Sequence, residues 1–221
     1  MGPGAPKCLH QPEANAMQFY TNPISPNCRK VDAVAKQLGI ALEHRIIDVR
    51  KRENRTPEYL ALNPNGKVPV LVDGDVVLWE SNAIQCYVAS KTDNDLWPKN
   101  NSRYQIMKWQ AWELAHFGAA SRSLNFQRIV KRLLGLGQPD AARCEEDEAN
   151  FKTHATVLDQ ALAGRRFLVN DQLTIADFCL ASSLTFAEEA RLPLAGFANI
   201  TRWLLALDEQ PGWRGSRPPP M

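Results

Sequence analysis

Asp73-Gly74-Asp75 lies between two runs of apolar, largely β-branched residues, Val68 to Val72 and Val76 to Trp79. A turn cluster of that kind folds two strands back on each other as a hairpin. Upstream, Met17 to Thr21 reads as a short strand that ends at the turn residues Asn22-Pro23-Ile24-Ser25-Pro26. Val31, Val34, Ala35 and Leu38 then recur at helical spacing as far as Gly39, a stop signal, and Leu42 to Val49 reads as a second strand. Thr56 caps and Pro57 opens a short helix through Leu62. The order is therefore β-α-β, a helix, then β-β, which predicts an α/β unit built on a mixed four-stranded sheet.

The pattern changes after Trp79. Ser81 is expected to cap a helix running to about Lys91, and the polar stretch Thr92 to Asn101, which holds Pro98, reads as a linker. Beyond it every periodic segment is helical, over about Ser102 to Leu136, Pro139 to Ala163, Ile175 to Arg191 and Asn199 to Gln210. Thr174 to Asp177 has the form of a capping box. The expected division is an N-terminal extension at 1–16, an α/β domain at 17–92, a linker at 93–101, an all-α helical bundle domain at 102–212 and a tail at 213–221. Residues 1–16 are rich in Pro, Gly and polar groups, lack the apolar core of a secretory signal, and are expected to be poorly ordered.

Bulk composition narrows the class of function. The 221 residues are 44% hydrophobic, enough for a sizeable core. Against 26 basic side chains stand 24 acidic ones, and a net charge of +2 gives no field that would argue for nucleic acid. No apolar run is long enough to span a bilayer. Cys8, Cys28, Cys86, Cys144 and Cys179 are scattered and odd in number, with neither a C-x-x-C pair nor metal-ligand spacing. A reducing, cytoplasmic setting without a metal is the expectation.

Three local motifs occur in order: Ser25-Pro26-Asn27-Cys28-Arg29-Lys30-Val31 after the first strand, Asn63 to Leu71 with Val68-Pro69 inside it, and Glu80-Ser81-Asn82-Ala83-Ile84. Together with the β-α-β…α-β-β order and the capping box, they resemble the cytosolic glutathione transferase superfamily, serine-type and bacterial-like, over about Met17 to Gly212. That resemblance implies a thioredoxin-like first domain that binds glutathione, a helical second domain that supplies the pocket for an electrophilic, largely apolar small molecule, and a homodimer.

Taken alone, Ser25 before a proline at a helix start is ordinary capping chemistry. In the resemblance it becomes the catalytic residue, because Ser25-Pro26-Asn27-Cys28 stands where thiol oxidoreductases of this fold carry Cys-Pro-x-Cys. The thiolate is the nucleophile, and a free thiol has a pKa of roughly 8.5. A hydroxyl hydrogen bond and a helix N-terminus lowering that value by about two units would favour the thiolate by about 2.7 kcal/mol. Asn27 matches a position whose amide helps to hold the sulfur in one bacterial group, and it reads equally well as a polar first-turn residue.

The resemblance also implies a cis Pro69, with the backbone of Val68 pairing with the cysteinyl unit as a short added strand. Ser81 would receive the γ-glutamyl carboxylate at a helix N-terminus, Glu80 the α-ammonium, and Lys67 the glycyl carboxylate. Outside the motifs, Ser-Pro, Val-Pro and Glu-Ser are common local signals. Gly66 stands where several serine-type classes have a glutathione-binding histidine, and Asn82 where some have arginine, so the class stays open. The basic run Arg50 to Arg55 reads as a solvated loop, Tyr20 as core, and Cys28 as a buried thiol. Trp109, Trp112, Phe117, Leu124 and Phe126 offer apolar surface for the second substrate, with Arg128 as an anchor for an anionic one, although most of them must be ordinary core and their spacing does not sort pocket from core. Two rival readings remain: a glutathione-dependent disulfide or peroxide reductase, and a non-catalytic binding or regulatory module of the same architecture.

Overall fold

In the computed structural model, which describes residues 17–219, strand β1 (Met17–Thr21) lies inside a four-stranded sheet of order β2-β1-β3-β4. The expected residues 1–16 lie outside the described part. Helix α1 (Pro26–Leu38) crosses over to β2 (Leu42–Ile46), which pairs parallel to β1, Met17 opposite Leu42. After a single 3₁₀ turn at Glu53–Arg55 come α2 (Pro57–Leu62), β3 (Val70–Asp73), β4 (Val76–Trp79) and α3 (Ser81–Ala89). Strand β3 runs antiparallel to both β1 and β4, so the hairpin joins the sheet along β1. The mixed sheet read from the turn chemistry is the one found. Two strands are shorter than expected, β2 ending at Ile46 and β3 starting at Val70.

The second half is helical: α4 (Ser102–Trp112), α5 (Gly118–Asn125), the short α6 (Lys131–Leu133), α7 (Ala141–Ala161), α8 (Ile175–Ser182), α9 (Ala198–Asp208) and α10 (Pro211–Gly215). The single long helix expected over 102–136 is interrupted by two π-helical turns, Glu113–Phe117 and Phe126–Val130. The expected helix over 175–191 stops at Ser182. There the amides of Ser183, Leu184 and Thr185 bond three residues back, and the hydroxyls of Ser182 and Thr185 take the carbonyls of Cys179 and Ser182 at 2.7 Å each. Hydroxyl side chains that compete for backbone groups replace the regular ladder with tight turns.

Residues 213–215, expected in the tail, belong to α10, which packs on α1 with Trp213 buried. Gly212 makes this contact: a Cβ there would stand 2.4 Å from the Ala33 carbonyl oxygen, and its N–H donates to Gln37 Oε1 at 2.9 Å. Helix α1 thus packs against α3 and against α8 and α10, and its Val31 and Val34 share the buried core with Phe19 of β1 and Leu71 of β3. One contiguous core, from Phe19 and Val31 through Phe117, Phe178 and Trp203, joins the two halves. No helix among the described residues is long and apolar enough to cross a membrane.

Candidate functional site

Asn22 shapes the turn that presents Ser25. Its amide Nδ2 donates to the Ile47 carbonyl at 2.9 Å, its Oδ1 accepts from Ile24 N–H at 3.2 Å, and its carbonyl accepts from Ser25 N–H at 2.9 Å. Ser25 is the N-cap of α1, in extended conformation, and its Oγ accepts from Cys28 N–H at 3.4 Å. Since the hydroxyl acts there as acceptor, its hydrogen is left to donate into the half-buried space at the helix start. Cys28 is 2% exposed, and burial pushes its thiol up despite the hydrogen bonds of Thr21 and Asn22. The expectation of a buried, unreactive thiol agrees with this.

Helix α3 begins next to the same place. Ser81 is its first residue rather than its cap: Glu80 occupies the cap position, at φ 74° and ψ 108°, a region that L-residues rarely adopt. Glu80 is exposed and makes no ion pair among the described residues, whereas Ser81 is buried. The Ser81 hydroxyl donates to Asn27 Oδ1 at 3.3 Å, which ties the first turn of α3 to the first turn of α1 across 54 positions of sequence. A second tie lies deeper. Fully buried Lys30 donates to Asn82 Oδ1 at 2.8 Å and is 3.5 Å from Glu113, which also receives Arg122 at 2.8 Å and the Ser183 hydroxyl at 2.7 Å. Asn82, lacking an arginine's charge, serves here as the acceptor for a buried ammonium.

The Val68–Pro69 peptide is cis, and the sheet register starts at Val70, so the backbone of Val68 lies outside the ladder. The carbonyl of the preceding Lys67 is held at 2.8 Å by both the Tyr59 hydroxyl and Asn63 Nδ2, while the Lys67 side chain is exposed and unpaired among the described residues. The structure thus brings Ser25, Asn27 and Ser81 together at two helix starts.

Arg55 is a residue that sequence reasoning missed, having placed it in a solvated run. Arg50 and Lys51 do fit that reading, each near Asp48 at 3.8 and 3.9 Å. Arg55 has no carboxylate within 4.0 Å among the described residues, and its guanidinium lies over Gly66, 2.7 Å from where a Cβ would stand. Gly66 has φ 58° and its carbonyl accepts from Asn54 Nδ2 at 2.6 Å. The guanidinium therefore takes the space beside Lys67 that a side chain at 66 would need. No local signal marks this contact; it exists only once the loop before α2 folds over the turn after it.

Most of the side chains offered for a second-substrate pocket are the ordinary core expected of most of them. Phe117 and Leu124 are fully buried and Trp109 nearly so, while half-buried Trp112 stacks on Phe117 with ring centres 5.7 Å apart. These side chains fill the bundle interior against Phe151 of α7. Arg128 is engaged by Glu148 and by the carbonyls of Ala190 and Arg191, at 2.9 Å each for the carbonyls, which removes it as a free anchor. Only Phe126, 42% exposed, keeps its ring toward solvent. Tyr20 is half-buried rather than core, its hydroxyl donating to Gln18 at 3.1 Å. Among the described residues no cluster of His, Cys, Asp and Glu could hold a metal.

A β2-β1-β3-β4 mixed sheet with helix starts gathered at one edge, followed by an all-helical half, defines a thioredoxin-like protein with a helical second domain. Known families agree. The family described as "Glutathione S-transferase, N-terminal domain" matches residues 15–90, and "Glutathione S-transferase, C-terminal domain" matches residues 124–211. Glutathione S-transferase 3 of Zea mays is 35% identical over 204 residues, covering 90% of this chain and 91% of its own. The solved structure of glutathione S-transferase III in apo form superposes with a TM-score of 0.81 at 33% identity, over 93% of this chain and 99% of that one. That of glutathione S-transferase-I bound with lactoylglutathione gives 0.83 at 28% identity, over 91% and 98%. The chain belongs to the glutathione S-transferase family, and it is a glutathione transferase.

Proposed function

We propose that Ser25 ionises the thiol of bound glutathione and presents the thiolate to an electrophilic, largely apolar small molecule. The observation that carries this reading is the Ser81–Asn27 hydrogen bond, which sets the positive ends of α1 and α3 side by side with the Ser25 hydroxyl at one of them. Two helix starts favour two negative groups, a thiolate and a carboxylate, in neighbouring positions. Ser25 donates its hydrogen to the sulfur, and Asn27 keeps its amide NH₂ available there because its Oδ1 already accepts from Ser81. The α3 amides take the γ-glutamyl carboxylate, joined by the Ser81 hydroxyl once it turns from Asn27 to donate to the ligand, and exposed Glu80 takes its ammonium. The unladdered backbone of Val68 beside Pro69 pairs with the cysteinyl unit, and Lys67 and Arg55 meet the glycyl carboxylate.

The thiol proton leaves to solvent, the sulfur forms the new bond to the electrophile, and the electrophile's leaving group or acceptor atom takes the electron pair. Catalysis comes from thiolate stabilisation and proximity. Burial of Cys28 and its raised thiol pKa weigh against a disulfide-exchange role for that residue.

The same reading includes a cytoplasmic homodimer. In its support, Val76, Val77 and Trp79 on β4 and Tyr104 and Met107 on α4 are exposed and apolar, and the described cysteines are free. Sedimentation at a few micromolar should give twice the chain mass; a monomer would refute the dimer.

Ser25→Ala should lower kcat/KM toward an activated aryl halide by roughly 25-fold at pH 7 through lost ionisation alone. Ser81→Ala should instead raise the dissociation constant for glutathione by about tenfold. Unchanged turnover in Ser25→Ala would remove the mechanism, and unchanged affinity in Ser81→Ala would remove the carboxylate site.

A further inference from the structure

One side chain ties the first turn of α3 to the rest of the molecule. Asn82 Oδ1 accepts from buried Lys30 Nζ at 2.8 Å and from the Cys179 thiol at 3.2 Å, and its Nδ2 donates to the Gln110 carbonyl at 3.2 Å. Residues of α1, α4 and α8 therefore meet on Asn82. One turn further along α3, buried Gln85 makes similar ties: its Nε2 donates to the Ile175 carbonyl and its Oε1 accepts from Gln110 Nε2, both at 3.0 Å.

Behind Asn82, Lys30 lies 3.5 Å from Glu113, which sits in a π-helical turn of the helical half. The Glu113 carboxylate occupies the space beside Gly118, where a Cβ would collide with it, and its other oxygen takes Arg122 and the Ser183 hydroxyl. A buried ion pair of this kind is weak evidence for stability, since apolar side chains of similar volume often serve as well. Its place in the fold suggests another role. The Lys30 ammonium ends on the residue after Ser81, and just before Ser81 the backbone of Glu80 holds φ 74° and ψ 108°, a conformation that persists only where the surroundings fix it.

We propose that Lys30 and Asn82 are positioning residues for glutathione: their hydrogen bond lets the helical half, through Glu113, hold the first turn of α3 so that its free amides and Glu80 face the γ-glutamyl unit. The proposal rests on the reading that the start of α3 takes the γ-glutamyl carboxylate. Neither side chain touches the ligand, so breaking their bond should cost affinity only for ligands that carry that unit.

The test is a double-mutant cycle read by calorimetric titration with two probes, S-hexylglutathione and S-hexylcysteinylglycine, the second of which lacks the γ-glutamyl unit. Lys30→Met leaves Glu113 paired with Arg122, so no buried charge is stranded, and Asn82→Ala cuts the same bond from its other end. Each should raise the dissociation constant for S-hexylglutathione by about tenfold and leave that for S-hexylcysteinylglycine within about twofold of wild type. Because both act through one bond, the double variant should lose no more than the larger single loss. Losses of equal size for the two probes mark a general loosening of the fold and overturn the proposal, as do additive losses or an unchanged affinity for S-hexylglutathione. Should Asn82→Ala fail to fold, the two-probe comparison in Lys30→Met decides the matter alone. Wild-type protein that binds the two probes equally would remove the γ-glutamyl reading itself and the proposal with it, so the two failures are told apart.

Discussion

At Gly66 a single hydrogen atom in place of a side chain decides how the loop before α2 meets the turn before β3. A methyl group there would meet the Asn54 carbonyl oxygen at 2.8 Å and the Arg55 guanidinium at 2.7 Å, on a backbone with φ 58°. Gly66→Ala should destabilise the protein by about 1–2 kcal/mol from the left-handed conformation alone. It should also weaken glutathione affinity by displacing Arg55. Chemical denaturation and calorimetric titration read the two effects, and a variant with native stability and affinity would show that Arg55 is not held there. The neighbouring motif was readable at the residue scale for a different reason. Ser25, Val68-Pro69 and Glu80-Ser81 are each common capping or turn signals on their own, and their order along the chain is what resembles the family. Their mutual contact carries no such signal, because the Asn27–Ser81 bond links residues on separate elements.

Helix α8 shows what an element can and cannot announce. Its start was legible: Asp177 accepts from Thr174 N–H at 2.9 Å and from the Thr174 hydroxyl at 3.1 Å, completing the capping box. Its two further bonds, from Leu168 N–H and Trp203 Nε1 at 3.0 Å each, join it to a distant loop and to α9. The end of α8 was not legible, since periodicity continues through Phe186 and Ala190 while the hydroxyls of Ser182 and Thr185 redirect the backbone. Nor did periodicity reveal the two π turns in the segment that begins with α4, because they keep the chain helical in outline.

Burial raises the Asp177 pKa to about 6, against the lowering effect of its four hydrogen bonds. A folded-state pKa above the unfolded value near 3.9 means that the folded protein binds the extra proton between those two values. The contribution is therefore fully present below about pH 4 and is lost as pH rises through about 6. Asp177→Asn turns its NH₂ toward N–H donors and should cost about 2–5 kcal/mol at neutral pH. The stability gap between wild type and Asp177→Asn should be wider at pH 4.5 than at pH 7. A gap that widens with pH would contradict this account of the burial.

For the whole molecule, the arrangement of halves follows from α1, which packs against α3 of the first half and against α8 and α10 of the second. Its N-terminal turn carries Ser25 and Asn27, its buried Lys30 reaches Glu113 in the helical half, and Arg29 lies on Trp213 of α10. The mixed sheet and the helical second half were readable because each rests on local periodicity and turn residues. The lining of a second-substrate pocket was not, because an aromatic residue on a long helix has the same spacing whether it faces a cleft or, like Phe117, the core.

The central claim is that the two joined helix starts and the Ser25 hydroxyl stabilise a thiolate. Thiolate absorbance of bound glutathione, followed across pH in wild type and Ser25→Ala, tests it most directly. The account predicts a bound thiol pKa about two units below the free value of roughly 8.5, returning toward that value in the variant. A bound thiol that titrates like free glutathione in the wild type, or the same lowered pKa in both proteins, would contradict it.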